Sequence, residues 1–200
     1  EPLIARHVGH EVAQMWLSRS RFTDVESLAE ATLTLGPDAN AFYDLGWAQS
    51  ATGRPRHALE SYEQALRLYR ETSDRAGEAA TLNNIGTVHN SLGDRHQALT
   101  HYRQALIIVR EIGDRAAEAT TLNNIGIAYR KLGNQQQALN HYHQALPIQQ
   151  EIGDRTSEAI TRYNIAMIHR DEGDLDEAIR ELEIVVDLDR QMDHPDLASD

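Results

Sequence analysis

Thr81-Leu82-Asn83-Asn84-Ile85-Gly86 returns forty residues later as Thr121-Leu122-Asn123-Asn124-Ile125-Gly126, and after forty more, altered, as Thr161-Arg162-Tyr163-Asn164-Ile165-Ala166. Gly53, Gly93, Gly133 and Gly173 keep the same spacing. So do Ala58, Ala98, Ala138 and Ala178, and likewise Tyr62, Tyr102, Tyr142 and Leu182. Several anchors held in one register over four units make the chain a repeat array, and a repeat decides the architecture before any local reading does.

Each unit reads as two helices. From Glu78 to Leu92 the positions Leu82, Ile85, Gly86 and His89 step by three and four and share one helical face. Gly93 follows where a residue with positive φ closes a helix. Asp94 caps the next helix, with Gln97 three residues on; Asn134 with Gln137, and Asp174 with Glu177, repeat that pairing. Arg54-Pro55 replaces it in the earlier unit, with Pro55 at the first helical position. The second helix carries Ala98, Tyr102, Ala105 and Val109 on one stripe, beside Leu99 and Leu106. Ser73-Asp74, Gly113-Asp114 and Gly153-Asp154 end one unit and cap the next. Gly86, Gly126, Ala98 and Ala105 let paired helices approach closely, and Tyr62, Tyr102 and Tyr142 fill the wedge against the following unit. A single pair cannot bury its apolar face, so stacking supplies the core.

Phe42-x-x-Leu45-Gly46 followed by Ala58-x-x-x-Tyr62-x-x-Ala65 resembles the tetratricopeptide signature. The family's usual period is about 34 residues. The forty-residue period here resembles the longer-helix variant of kinesin light chains, and of arrays attached to bacterial signal-transduction ATPases and CHAT proteases. The resemblance implies an all-α, right-handed superhelical solenoid of about five antiparallel helix pairs. The boundaries are 1–37 for a degenerate first pair carrying Trp16, Leu17 and Ala31, then 38–73, 74–113, 114–153 and 154–192, with 193–200 as a tail or the start of a continuation. Glu1 in place of Met suggests an excerpt of a longer chain. Ile179, Leu182, Val185 and Val186 on the last helix await a cover, either a continuation beyond His194-Pro195 or a second copy.

Composition removes several function classes. The 200 residues carry a net charge of −12, which opposes binding to nucleic acid or an anionic membrane. The acid is densest from Asp171 to Asp200, read as a solvated face. There is no cysteine, hence no disulfide and no thiolate ligand or nucleophile, which fits a cytoplasmic setting. No apolar run is long enough to span a membrane, and no signal peptide is evident. Phosphate-binding glycine loops, nucleophile elbows, zinc-protease and calcium-loop motifs are all missing. His141 and His143, two apart, point to different sides of a helix. His101 and His141 hold equivalent positions but lack further ligands, and His89 and His169 fall on the packing stripe. The expectation is a protein without catalysis, cofactor or metal.

The repeated asparagines ask for a use, because asparagine is a poor helix-interior residue. In tetratricopeptide proteins the first helices line the concave surface. The resemblance therefore implies that Asp44, Asn84, Asn124 and Asn164 line a groove in which the asparagine amides form a ladder that clamps an extended peptide. Asn83 and Asn123 flank it, with Tyr163 in their place in the last unit. One turn on lie Trp47, Thr87, Ile127 and Met167, with Arg130, Lys131 and Arg170 at the edge, which favours an apolar peptide with some negative charge. A second reading stays open: the asparagines bridge adjacent helices and stiffen the stack. The function implied is a protein- or peptide-binding scaffold, the sensor or interaction arm of a larger signalling protein. A small-molecule or signal-peptide sensor that changes shape on binding, and a structural module that self-associates through its last helix, are the alternatives.

Overall fold

The computed structural model describes residues 2–193, and side chains from Val8 to Met192. Among the described residues the chain consists of ten α-helices and no strand: α1 Pro2–Leu17, α2 Phe22–Leu33, α3 Ala39–Ala51, α4 Pro55–Glu71, α5 Arg75–Leu92, α6 Arg95–Ile112, α7 Arg115–Lys131, α8 Gln135–Ile152, α9 Arg155–Glu172 and α10 Leu175–Asp193. Of the tail, Asp193 ends α10, while His194-Pro195 and the rest lie outside the described residues. Two compact units divide at Ile108 and Val109, within α6.

In the first unit α1 packs on α2 and α3, α3 on α4, and α5 on both α3 and α4. Ala13, Leu17, Val25 and Ala48 form one core cluster with Trp16, Phe22 and Leu28 packed against it. Ala29, Ala41 and Leu45 form another, backed by Leu33. In the second unit α7 packs on α8, α8 on α9 and α9 on α10. There Ala138, Leu139 and Tyr142 meet Leu146, Ile165 and Ile168, with Ile127 and Tyr129 alongside.

The local punctuation is chemical. Asp74, Asp114 and Asp154 accept hydrogen bonds from the backbone N–H of Gly77, Ala117 and Ser157, at 2.9–3.0 Å. Asp38 does the same for Ala41 at 2.9 Å, and Asp174 for Glu177 at 3.3 Å. Each bond satisfies a helix-end donor that would otherwise need water. Asn134 departs from the expectation: its side chain makes no capping bond. Gly93, Gly153 and Gly173 close their helices with φ of 90°, 70° and 86°, while Ser73 takes the same left-handed role at 58°.

Glycines on the first helices mark a close approach. A Cβ at Gly86 would lie 2.6 Å from the Tyr102 ring, and at Gly126 2.4 Å from the Tyr142 ring. At Gly46 the distance to Tyr62 would be 2.8 Å. Tyr62, Tyr102 and Tyr142 are at most 1% exposed. Packing at interior density leaves no slack for a methyl group at these points.

Candidate binding surface

The structure divides the expected groove residues into three groups. Asp44 and Met167 leave the surface altogether. Asp44 is 2% exposed, and its carboxylate takes hydrogen bonds from His10 Nδ1 at 2.8 Å and Gln14 Nε2 at 2.7 Å. Both donors come from α1, which lies against α3 and covers the position. Burial raises the Asp44 carboxyl against the stabilising bonds from His10 and Gln14, and the bond to Asp44 raises His10 in turn. Met167 is 7% exposed and belongs to the core rather than the floor of a groove.

The amides form the second group, and they bridge. Asn84 Nδ2 donates to the Tyr43 hydroxyl at 3.0 Å, tying α5 to α3. Asn123 Oδ1 accepts from Thr161 Oγ1 at 3.2 Å, tying α7 to α9. Asn164 Oδ1 accepts from Arg130 Nη1 at 3.1 Å across the same pair. Asn83, Asn84, Asn123 and Asn124 are half-buried, so these positions keep an open side, whereas Asn164 is buried. Bridging between successive first helices is thus a property of the fold.

The third group is exposed. Trp47 is 40% exposed and Tyr163 49%. Thr87 is also exposed, with its hydroxyl bonded to Asn83 O at 3.1 Å and lying 3.2 Å from the Tyr102 hydroxyl. Arg170 sits outermost and pairs with its neighbour Asp171 at 2.8 Å. In the second unit Ile127, Arg130, Lys131 and Asn164 line a cavity of about 420 Å³. Ile160, a turn before Tyr163 and Asn164 on α9, is 50% exposed and was not singled out by the sequence reading. The signal was there, since Ile160 is large and apolar where the earlier units have the smaller Ala80 and Thr120. The α7–α9 surface therefore combines apolar side chains, half-buried amides and two cations.

Three family profiles, each described as tetratricopeptide repeat, match residues 77–151, 41–76 and 159–192. This chain belongs to the tetratricopeptide-repeat family. A search of curated proteins returns no match. Among solved structures, BtubC (BKLC) of P. vanneervenii superposes with a TM-score of 0.84 at 20% identity, covering 97% of this chain and 84% of its own. A kinesin-light-chain-type protein of nearly identical TPR-like repeats from Podosopora anserina gives 0.74 at 18%, covering 97% and 99%. A Rap protein complexed with competence and sporulation factor gives 0.83 at 17%, covering 98% of this chain and 57% of the Rap chain. At these identities the likeness is one of fold.

In three successive tetratricopeptide pairs a polar or aromatic contact joins first and second helix at one register. Ser61 donates to Gln49 Oε1 at 2.8 Å in one pair. In the next, His89 and His101 stack with ring centroids 5.4 Å apart; after that, Tyr129 and His141 stack at 5.5 Å. Burial lowers the His101 pKa, and the neighbouring His89 and Arg70 lower it further. Asp94, 3.7 Å from His89 Nδ1, is the carboxylate at this corner. A histidine whose folded-state pKa lies below its unfolded value makes the unfolded chain bind more protons. Its contribution to stability is full above the unfolded value and is lost as pH falls through the window below 6.5. The drop in Tm between pH 7 and pH 5.5 should therefore be smaller in His101→Gln than in the parent protein, and equal slopes would contradict this. Among the described residues no three His, Asp or Glu groups are placed to hold a metal ion, and no helix is long and apolar enough to cross a membrane.

Side-chain bonds to a glutamate tie three second helices, α4, α6 and α8, to the first helix that follows. Glu78 accepts from Arg70 at 2.8 Å and Arg75 at 2.5 Å, and Glu118 repeats this with Arg110 and Arg115 at the same distances. Burial pushes both carboxyls up, and the bonds from the paired arginines outweigh it and hold them below the usual range. Glu158 instead accepts from Gln150 at 2.8 Å and Arg162 at 2.9 Å.

Proposed function

We propose that the chain is a non-catalytic binding scaffold that takes a peptide segment of a partner protein on its first-helix face, as the interaction or sensor arm of a larger cytoplasmic signalling protein. The observation that carries this reading is the α7–α9 surface. Ile160 and Tyr163 stand in solvent beside the amides, and Ile127 opens onto the cavity shared with Arg130, Lys131 and Asn164. An extended peptide bonds its backbone to Asn123, Asn124 and Asn164, sets apolar side chains against Ile127 and Tyr163, and places a carboxylate toward Arg130 and Lys131. Arg170 extends the cationic edge. In the first unit Trp47, Asn83, Asn84 and Thr87 offer the corresponding positions. The Rap protein of related fold, complexed with competence and sporulation factor, supports ligand binding by an array of this kind.

The test is a selection. Random peptides displayed on phage are selected on residues 1–200, and the binders are then titrated against variants. Ile127→Glu and Tyr163→Ala should each weaken binding about tenfold or more, as aromatic and apolar anchors do when truncated or charged. Tyr163 is exposed, so Tm should change little in Tyr163→Ala, whereas Ile127 also packs against the α8–α9 core cluster and Ile127→Glu should lower Tm as well. Selected peptides that bind both variants as tightly as the parent would refute the assignment.

A further inference from the structure

The polar side chains that line the 420 Å³ cavity on α7 and α9 offer donors alone. The guanidinium of Arg130 and the ammonium of Lys131 carry N–H groups and no acceptor. Asn164 has one carbonyl oxygen to give, and Arg130 Nη1 already holds it at 3.1 Å. Asn164 is 9% exposed, and its amide nitrogen is the group left to meet a ligand. The charge is as one-sided. The chain carries −12, yet Arg130 and Lys131 make no ion pair with a carboxylate among the described residues. Forty residues on, Arg170 is paired with Asp171 at 2.8 Å. The same two positions hold Ser50-Ala51, Asn90-Ser91, Arg130-Lys131 and Arg170-Asp171 in successive units, so two adjacent cations occur there once. Both lie in the last turn of α7, where a cation complements the helix dipole. The dipole does not account for Arg130 being held across to α9 beside an open cavity.

We infer that the cavity receives a phosphorylated side chain of the bound peptide, which rests on the α7–α9 reading above and names the acid that reading calls for. A phosphate monoester brings acceptor oxygens only and a charge of about −2 near neutral pH. Arg130 and Lys131 match that charge, and the Asn164 amide nitrogen adds a neutral donor. A carboxylate brings a single negative charge and leaves one of the two cations uncompensated. The guanidinium and the ammonium make charge-assisted bonds to the phosphate oxygens, the strongest class of hydrogen bond open to these groups. Ile127 on the cavity wall packs against the aliphatic part of the phosphorylated residue.

The probe is a degenerate peptide library fixed only at a central phosphoserine. Its tightest member is resynthesised with serine and with glutamate at that place, and all three are titrated by fluorescence anisotropy. The phosphoserine peptide should bind about tenfold tighter than either counterpart, the scale of hydrogen bonds to a charged group. Lys131→Gln should remove most of that advantage. Lys131 is exposed, so an unchanged Tm shows that this variant is folded. Asn164→Asp keeps an oxygen for Arg130 while it replaces the donor with a negative charge, and it should weaken the phosphoserine peptide about tenfold. Lys131 is also the single lysine of the chain. Its acetylation by an amine-reactive ester, read by mass spectrometry, should slow when the phosphoserine peptide is bound. Equal binding of the serine or glutamate peptide would overturn the inference and leave the peptide surface standing. Inorganic phosphate that protects Lys131 as well as the peptide does, at equal concentration, would overturn it in favour of a free-anion site. A library that yields no binder overturns it as well, and the α7–α9 reading falls with it only if the peptides selected on phage also fail to bind.

Discussion

Tyr142→Ala should cost about 4 kcal/mol, the range for emptying a fully buried aromatic site. Tyr142 shares its cluster with residues of both α8 and α9, so its loss loosens packing within one pair and between pairs. Gly126→Ala alone should cost about 2 kcal/mol by overpacking, because the new methyl group would stand 2.4 Å from the Tyr142 ring. The two effects do not add. Once the ring is gone, the methyl group that Gly126→Ala introduces has room, and alanine is the better helix former by about 1 kcal/mol. In the Tyr142→Ala background Gly126→Ala should therefore be neutral or stabilising. Urea denaturation of the four proteins measures the cycle. Simple additivity would mean that the glycine is kept for some reason other than the ring.

Arg162→Ala is the second large effect, about 3 kcal/mol by the usual cost of breaking a buried ion network. Leu82 and Leu122, at the same register, are buried, and α9 places a guanidinium there instead. Arg162 donates to Glu158 and Glu181 at 2.9 Å each, and all three side chains are 10–13% exposed. Deleting the cation leaves two nearly buried carboxylates facing each other without a counter-charge. Glu181 stands where the earlier pairs have His101 and His141. The double variant Arg162→Leu with Glu181→His gives the last pair the side chains of its predecessors at these two positions. It should return to within about 1 kcal/mol of the parent, since a well-packed apolar replacement of a buried ion pair is often neutral. Thermal unfolding tests both variants, and an unchanged Tm in Arg162→Ala would show that the network is solvated.

The legible part of the fold was whatever the period repeats. The aspartate caps and the closing glycines each occur in several units, so one copy explains the next, whereas the tyrosines, expected in the wedge against the following unit, also lie over the glycine of their own pair. What escaped sequence reading occurs once. Asp44 looked like a groove residue because the register places it with Asn84, Asn124 and Asn164. Its burial depends on His10 and Gln14, which lie in the degenerate first pair where no repeat locates them. Met167 is buried where the same register of the earlier units holds the exposed Thr87 and the half-buried Ile127, so the repeat does not foretell its burial. Asn134 has the right residue type for a cap, yet its side chain makes no capping bond. Amide bridging at Asn84, Asn123 and Asn164 was one of two readings the sequence left open. Hydrogen-bond partners come from neighbouring units, and residue type alone does not assign them.

The central claim is that the α7–α9 surface receives a peptide. Its most direct measurement is a two-dimensional NMR titration of the labelled protein with a selected peptide, followed at asparagine side-chain amides and isoleucine methyl groups. Shifts concentrated at Asn123, Asn124, Ile127, Ile160 and Asn164 are predicted, with Asn140 and Ile148 of α8 unmoved. Shifts confined to α8 or α10 would contradict the claim.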